Sequence, residues 1–418
     1  MPLPQKHKVF YGYWIVAAAF LCVFIETGCG FYAFSLFVKS LQADLGWGRG
    51  EIMAGFTMFI LVEGMAAPFI GRLVDHYGVK RVVAIGGLVT GLGLVLVSQT
   101  NNLWYFYLSY IVIGVGLVAI GTVPATTVVS NWFKRKRGLA IGIMSSGIGA
   151  GGFAIAPLIG GYLIPSFGWR ASYLALALLT WVVIIPLALL VMKTKPADMG
   201  LYPDGAEAPE AVNVTAASPS APQGLTPRMA LTTSAFWLIV ISFLLSNFSH
   251  VGVIQSQVPH LDDIGFPVAT AATALGAVAL GSAVGKFGFG WLCDRIAAEY
   301  ACAIGLILEM VSIIILIRVE PASPVAIIWL YAITMGLGVG NWLPTSSMLT
   351  STNFGLANYG AIFGVVTLFI YIGTATGPLM AGYMYDAMNT YHWAFIIFVA
   401  LYVITIPAIL ALRRLKPH

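Results

Sequence analysis

The sequence is built largely from apolar stretches of the length that crosses a bilayer as one helix. A hydrocarbon core needs roughly 20 apolar residues per helical crossing. Such stretches lie near residues 12–38, 51–72, 82–99, 103–130, 138–163 and 170–192, and again near 235–258, 268–293, 301–318, 324–350, 359–385 and 393–412. Twelve stretches in two groups of six predict an all-α membrane protein with twelve transmembrane helices. Composition agrees. Only 9% of the 418 residues are charged, against roughly 25% in a soluble domain, too few to clothe a soluble exterior. The net charge of +5 is too small to suggest a nucleic-acid partner. Four cysteines, at 22, 29, 293 and 302, fall in or beside apolar stretches, with neither a disulfide framework nor a metal-ligand spacing. No Ser-His-Asp, Cys-His or metal-ligand cluster is visible, so neither an enzyme nor a cofactor is expected.

Residues 193–230 change character. Ala206-Glu207-Ala208-Pro209-Glu210 and Ala217-Ser218-Pro219-Ser220-Ala221-Pro222 are polar, Pro-rich and aperiodic, a composition that cannot bury a core. The expected organisation is a six-helix half over 1–192, a flexible cytoplasmic linker over 193–230 and a second six-helix half over 231–418. The first apolar run is too long for a signal-peptide core and lacks a small-residue cleavage site, so it is expected to be retained. Placing the N-terminus in the cytoplasm puts sixteen Lys and Arg inside, from Lys6 and Lys8 to Arg413, Arg414 and Lys416, and four outside: Lys39, Arg49, Arg170 and Arg318. That asymmetry follows the positive-inside rule and predicts cytoplasmic termini. Short loops fit a bacterial inner membrane. The remaining cation, Lys286, lies inside the eighth span.

Several phrases recur about 220 residues apart. Gly71-Arg72-Leu73-Val74-Asp75 returns as Gly290-Trp291-Leu292-Cys293-Asp294, and Ala156-Pro157-Leu158-Ile159-Gly160-Gly161-Tyr162 as Gly377-Pro378-Leu379-Met380-Ala381-Gly382-Tyr383. Two homologous halves of six helices share one orientation, with a substrate site expected between them near the midplane. Gly71-Arg72-Leu73-Val74-Asp75-His76-Tyr77-Gly78-Val79-Lys80-Arg81 resembles the loop signature of the major facilitator superfamily between helices 2 and 3. The resemblance implies that fold, and a gate of Gly71, Arg72, Asp75, Gly78, Lys80 and Arg81, with Asp294 and Arg295 in the second half. A carboxylate at a helix N-terminus is favourable, by about 0.3–1 kcal/mol, which gives the gate a physical basis. The other reading is that the loop only obeys positive-inside.

A narrower resemblance lies at Asn131-Trp132-Phe133-Lys134-Arg135-Lys136-Arg137-Gly138-Leu139-Ala140-Ile141-Gly142, followed by Ser145-Ser146-Gly147. It is similar to the start of the fifth helix in monocarboxylate transporters and the related oxalate:formate antiporters. The first-helix signature of the monocarboxylate carriers survives in part, as Tyr11-Gly12-Tyr13-Trp14, without its acidic residue.

Lys286 lies about eight residues, or roughly 12 Å, from the cytoplasmic end of its span. Holding a Lys there costs about 2.5–3.5 kcal/mol, so such a residue faces a wet cavity or a partner. Both related carrier groups place a basic residue in this helix to receive the substrate carboxylate. The antiporters add a second in helix 11, where this chain has Tyr371, Thr374 and Thr376. One fixed charge suits a monoanion better than a dianion. The aspartate that animal carriers place one turn earlier is Ser282 here, and their first-helix lysine aligns with Tyr32. The alternatives for Lys286 are an ion pair with Glu26 or Glu63, or snorkelling to the cytoplasm.

The expected substrate site is therefore Lys286 with His250, Asn247, Ser282 and Tyr32, and with Tyr331, Tyr371 and Tyr383 as further lining groups. His250, Lys286 and Glu26 are the candidates for proton coupling, since His titrates near neutral pH. His250 and each single tyrosine can equally be read as packing residues. Glu63 reads as interfacial, and Glu309 falls on a helix that usually faces lipid in this family.

Gly147-Ile148-Gly149-Ala150-Gly151-Gly152 formally contains a dinucleotide fingerprint, and Gly281–Phe287 resembles a phosphate loop. Both lie within apolar spans and read better as small-residue helix contacts. The sequon Asn213-Val214-Thr215 falls in a loop cytoplasmic by charge. The sequence thus predicts a monomeric, proton-coupled symporter of a lactate- or pyruvate-type monocarboxylate working by alternating access. The other reading is an organic-anion exchanger of the oxalate:formate type.

Overall fold

A computed structural model describes residues 10–205, 225–355 and 358–415. The regular structure of these residues is helical throughout, without strands. The spans are α1 (Gly12–Leu45), α2 (Arg49–Tyr77), α3 (Val79–Ser98) and α4 (Leu103–Trp132), followed by one apolar stretch, Arg137–Val191. That stretch has 55 residues, far more than the roughly 20 that one crossing needs. It breaks at Gly168, whose φ of 77° and ψ of 171° are open to glycine and costly elsewhere. It therefore makes two crossings, α5 (137–167) and α6 (169–191). Six more follow: α7 (Ser234–Asp263), α8 (Val268–Cys293), α9 (Ala298–Ile317), α10 (Val325–Phe354), α11 (Tyr359–Met388) and α12 (His392–Arg414).

Local signals set the helix ends. Asn102 accepts a hydrogen bond from the Tyr105 amide at 2.9 Å and starts α4, and Thr233 does the same for α7 through the Phe236 amide. Gly46 ends α1 in the left-handed conformation, with φ of 70°.

The first six helices meet the last six along three seams, α2 on α11, α5 on α8, and the end of α1 on α7. The glycine run of α5 serves two of its faces. Gly147 sits against the Phe20 carbonyl of α1, while Gly149 and Gly152 sit against Ala279 of α8. On α8 itself, Gly281 and Gly285 meet Gly336 and Leu337 of α10. These glycines are helix contacts, at positions where a side chain would collide with a neighbouring helix.

The expected linker is tied down at both described ends. Thr194 accepts from the Val79 amide at 3.1 Å, Trp132 donates to the Lys193 carbonyl at 2.9 Å, and Leu225 donates to the Phe354 carbonyl at 2.9 Å. Residues 206–224, including the Asn213 sequon, and the terminal cations Lys6, Lys8 and Lys416 lie outside the described residues.

Candidate functional site

A cavity of about 190 Å³ lies between the first six helices and the last six. At roughly 30 Å³ per water it has room for about six waters or a molecule of comparable size, well below a drug-sized site. α1 supplies Glu26 and Tyr32, α2 supplies Glu63, and α4 supplies Thr122. From the other side α7 supplies Asn247 and His250, α8 Ser282 and Lys286, and α11 Tyr371 and Thr374. Phe31, Phe59, Ile60, Val251 and Ile254 complete a mostly apolar wall.

The three helix irregularities nearest this cavity each expose a polar group. α1 widens into a π-helical segment over Glu26–Tyr32, a feature that turns an extra side chain inward. α4 breaks at Gly121, and the freed Thr122 amide and hydroxyl donate to Glu26 at 3.2 and 3.1 Å. α10 breaks at Gly340, and the Asn341 side-chain amide donates to Glu309 at 2.9 Å. Gly121 and Gly340 are 340 − 121 = 219 residues apart, within the offset of the sequence repeat. Each break holds one buried carboxylate.

Lys286 is half-buried in the cavity wall and makes no ion pair or hydrogen bond with another described residue. The alternative reading, an ion pair with Glu26 or Glu63, is not seen among the described residues. Asn247 bonds its own helix through Phe243, at 2.8 Å. His250 Nδ1 lies 3.6 Å from Glu309 Oε2. Glu309 is 1% exposed and also takes the Tyr402 hydroxyl at 2.5 Å. An expected lipid-facing residue is thus at the centre of a polar network joining α7, α9, α10 and α12.

The ends of the molecule differ. At one end Arg49, 1% exposed, pairs with Asp263, while the Arg49 and Gly50 amides both donate to Asp386 at 2.7 Å. Lys39 pairs with Asp262 at 2.7 Å. Gln255 donates to the Phe31 carbonyl at 2.9 Å and Thr57 to the Ala375 carbonyl at 2.7 Å, adding two cross-links. At the other end Arg72, Asp75, Arg81, Asp294 and Arg295 are exposed, and none has an ion pair among the described residues. Arg295 lies over the Trp291 ring instead, at 3.9 Å.

The sequence model of the Major Facilitator Superfamily matches residues 19–375 and 258–418, nearly the whole chain. The chain belongs to the major facilitator superfamily. It is an integral, multi-pass membrane transporter and not an enzyme. Among curated relatives it is 25% identical over 394 residues to monocarboxylate transporter 13 of Bos taurus, covering 93% of this chain and 86% of that one. It is 26% identical to the MFS-type transporter YhjX of Escherichia coli, covering 82% and 81%. Among solved structures, a bacterial homologue of the lysosomal transporter Spinster shares the fold with a TM-score of 0.77, at 16% identity, covering 97% of this chain and 98% of that one.

Of the residues singled out in the sequence, this facilitator brings Tyr32, Asn247, His250, Ser282, Lys286, Tyr371 and Glu26 to one cavity. Two do not reach it. Tyr331 is fully buried and donates to Gln257 at 2.8 Å, and Tyr383 is 53% exposed against Gly50. Residues of similar type on one apolar helix do not reveal from sequence which way each points. Glu63, expected at the interface, instead lines the cavity beside Glu26. From the sequence Arg49 reads only as an external loop cation, and Asp263 and Asp386 carry no reading at all. The signal that could have found them is the density of acids and bases at helix ends on the side where charge is scarce.

Proposed function

We propose that this facilitator is a proton-coupled symporter of small monocarboxylates of the lactate or pyruvate type. The observation that carries the reading is Lys286, an ammonium without a partner among the described residues, in a cavity of about 190 Å³. One fixed cation between apolar walls suits a short anion with a single carboxylate. The similarity to monocarboxylate transporter 13 supports the same substrate class. His250, Asn247, Ser282, Tyr32 and Tyr371 would complete the site around the substrate's polar atoms and methyl group. Tyr331 and Tyr383 have no part in it.

The loop asymmetry supports cytoplasmic termini in a bacterial inner membrane. In that orientation the end joined by Arg49 is external, and the cavity is poised toward the cytoplasm. Residues 1–192 and 231–418 would rock as two halves about Lys286. Gly71, Arg72, Asp75, Gly78, Lys80 and Arg81 would lock against the second half, near Asp294 and Arg295, when the external end opens. Symport of one anion with one proton is electroneutral and needs no second cation, which favours it over exchange of the oxalate:formate type.

The test is uptake into proteoliposomes free of internal anion. Accumulation of L-lactate or pyruvate driven by a pH gradient supports the reading. Strict dependence on internal anion would replace it with exchange.

A further inference from the structure

Two acids in the cavity are left unassigned by anion binding at Lys286. Glu26 and Glu63 come from α1 and α2 and line the same cavity as neighbours. Glu26 is fixed: Thr122 donates to both of its oxygens, and a Cβ at Gly121 would overlap the carboxylate, so the break in α4 is shaped around it. Among the described residues Glu63 has Glu26 as its acidic neighbour, and it sits on α2, the helix that packs on α11.

We propose that Glu26 and Glu63 form the proton-binding site, with one proton held between the two carboxyl groups. The proposal rests on the symport reading and names the group that serves it. Two carboxylates sharing one site do not both stay ionised, and they titrate as a pair. The groups facing them are Cys22 on α1, Thr122 on α4 and Tyr371 on α11, with His250 of α7 and Lys286 of α8 on the same cavity. Neither His250 nor Lys286 forms an ion pair with Glu26 or Glu63, and His250 faces Glu309 instead.

The charge balance gives the coupling. With both acids ionised, two negative charges outweigh the single ammonium and the cavity repels an anion. One bound proton makes the cavity neutral and lets Lys286 hold the substrate carboxylate. Proton and anion leave together: the carboxyl O–H bond formed on binding breaks on release, and no net charge crosses. Glu26, anchored on the α4 break, keeps the site in the first half. Glu63, on the α2–α11 seam, would sense the movement of the second half.

Two measurements on purified, reconstituted protein test this. The first compares L-lactate exchange, without a gradient, with L-lactate accumulation driven by a pH gradient. Glu26→Gln and Glu63→Gln are each expected to keep exchange while losing about tenfold or more of the driven accumulation, within the range of coupling between linked sites. The second is infrared spectroscopy at neutral pH. The deuterium-sensitive carbonyl band of a protonated carboxylic acid is expected in the unaltered protein and lost in either variant, whether or not that variant transports. Full driven accumulation in both variants, or a band unchanged by both, would overturn the proposal. If the unaltered protein neither exchanges nor accumulates L-lactate, the substrate reading fails, and the infrared result still decides the proton site.

Discussion

The Arg49 guanidinium holds the Asp263 carboxylate through two bonds, of 2.6 and 2.8 Å, and ties the start of α2 to the end of α7. The Tyr385 ring lies 3.6 Å from the same guanidinium. Asp386 caps the amides of Arg49 and Gly50 at the start of α2, where a carboxylate is electrostatically favoured. Three acids from the last six helices thus hold two cations and a helix end from the first six. At the Asp75 end none of the signature charges is paired among the described residues. The molecule is joined at one end and unlatched at the other.

Arg49→Ala leaves Asp263 without its two-pronged partner and removes a buried guanidinium from the seam. Breaking a buried pair costs about 3–5 kcal/mol, and the 21% exposure of the Asp263 side chain places the cost at the lower end. Thermal unfolding in detergent should shift downward. Spin labels at Ala43 and Ala269 should report a longer distance as the Arg49 end opens. An unchanged distance would mean that the pair does not hold that end closed.

Gly149→Val should block rocking along the α5–α8 seam. A Cβ at this position would lie 2.5 Å from the Ala279 carbonyl oxygen and 2.7 Å from the Ala283 methyl, and overpacking of this kind costs about 1–3 kcal/mol. Transport should fall more steeply than expression, measured by uptake per mole of folded protein. Gly138→Ala, which meets nothing within 4 Å, should leave transport unaltered.

These two sites show where the sequence was legible and where it stopped. Membrane spans follow from apolar length, and the glycines of α5 were readable as contacts because nothing around them supplies a strand or a soluble turn. Lys286 stood out because a lone cation in an apolar helix has few stable surroundings. The direction a side chain faces around a helix is another matter. α9 and the first part of α10 (Val325–Val339) are apolar nearly all round, so Glu309 and Tyr331 carried no periodicity that marked their inner faces. The closeness of Glu26 to Glu63 depends on how α1 and α2 pack, and no local spacing encodes that.

Tyr402→Phe and Asn341→Ala should both destabilise the last six helices. Each removes a donor to buried Glu309, and an unsatisfied buried acceptor costs about 1–3 kcal/mol, more when charged. The double variant should cost less than the sum of the two, because both act on one carboxylate. Denaturation monitored by tryptophan fluorescence would measure this. Additive effects would mean that the two donors do not share Glu309.

Asp204 gives a pH-dependent contact outside the membrane. Burial opposes its ionisation, yet the amides of Arg135, Lys134 and Lys136 hold its carboxyl below the ordinary value of 3.8. A lowered folded value means the stabilisation is present above pH 3.8 and is lost as the pH falls through the lower folded value. At neutral pH, hydrogen exchange at Lys134 and Arg135 should therefore be slower than in Asp204→Asn. The difference should shrink as the pH drops below 3.8. Equal protection at neutral pH would show that the carboxylate does not anchor this loop.

The account stands on Lys286 receiving the substrate carboxylate. The most direct measurement is equilibrium binding of radiolabelled L-lactate to purified protein, unaltered and as Lys286→Gln, with thermal unfolding to verify the fold. A charge-assisted hydrogen bond contributes about 1.5–3 kcal/mol, so affinity should fall about tenfold to a hundredfold. A folded Lys286→Gln protein that binds L-lactate as tightly as the unaltered one would contradict the account.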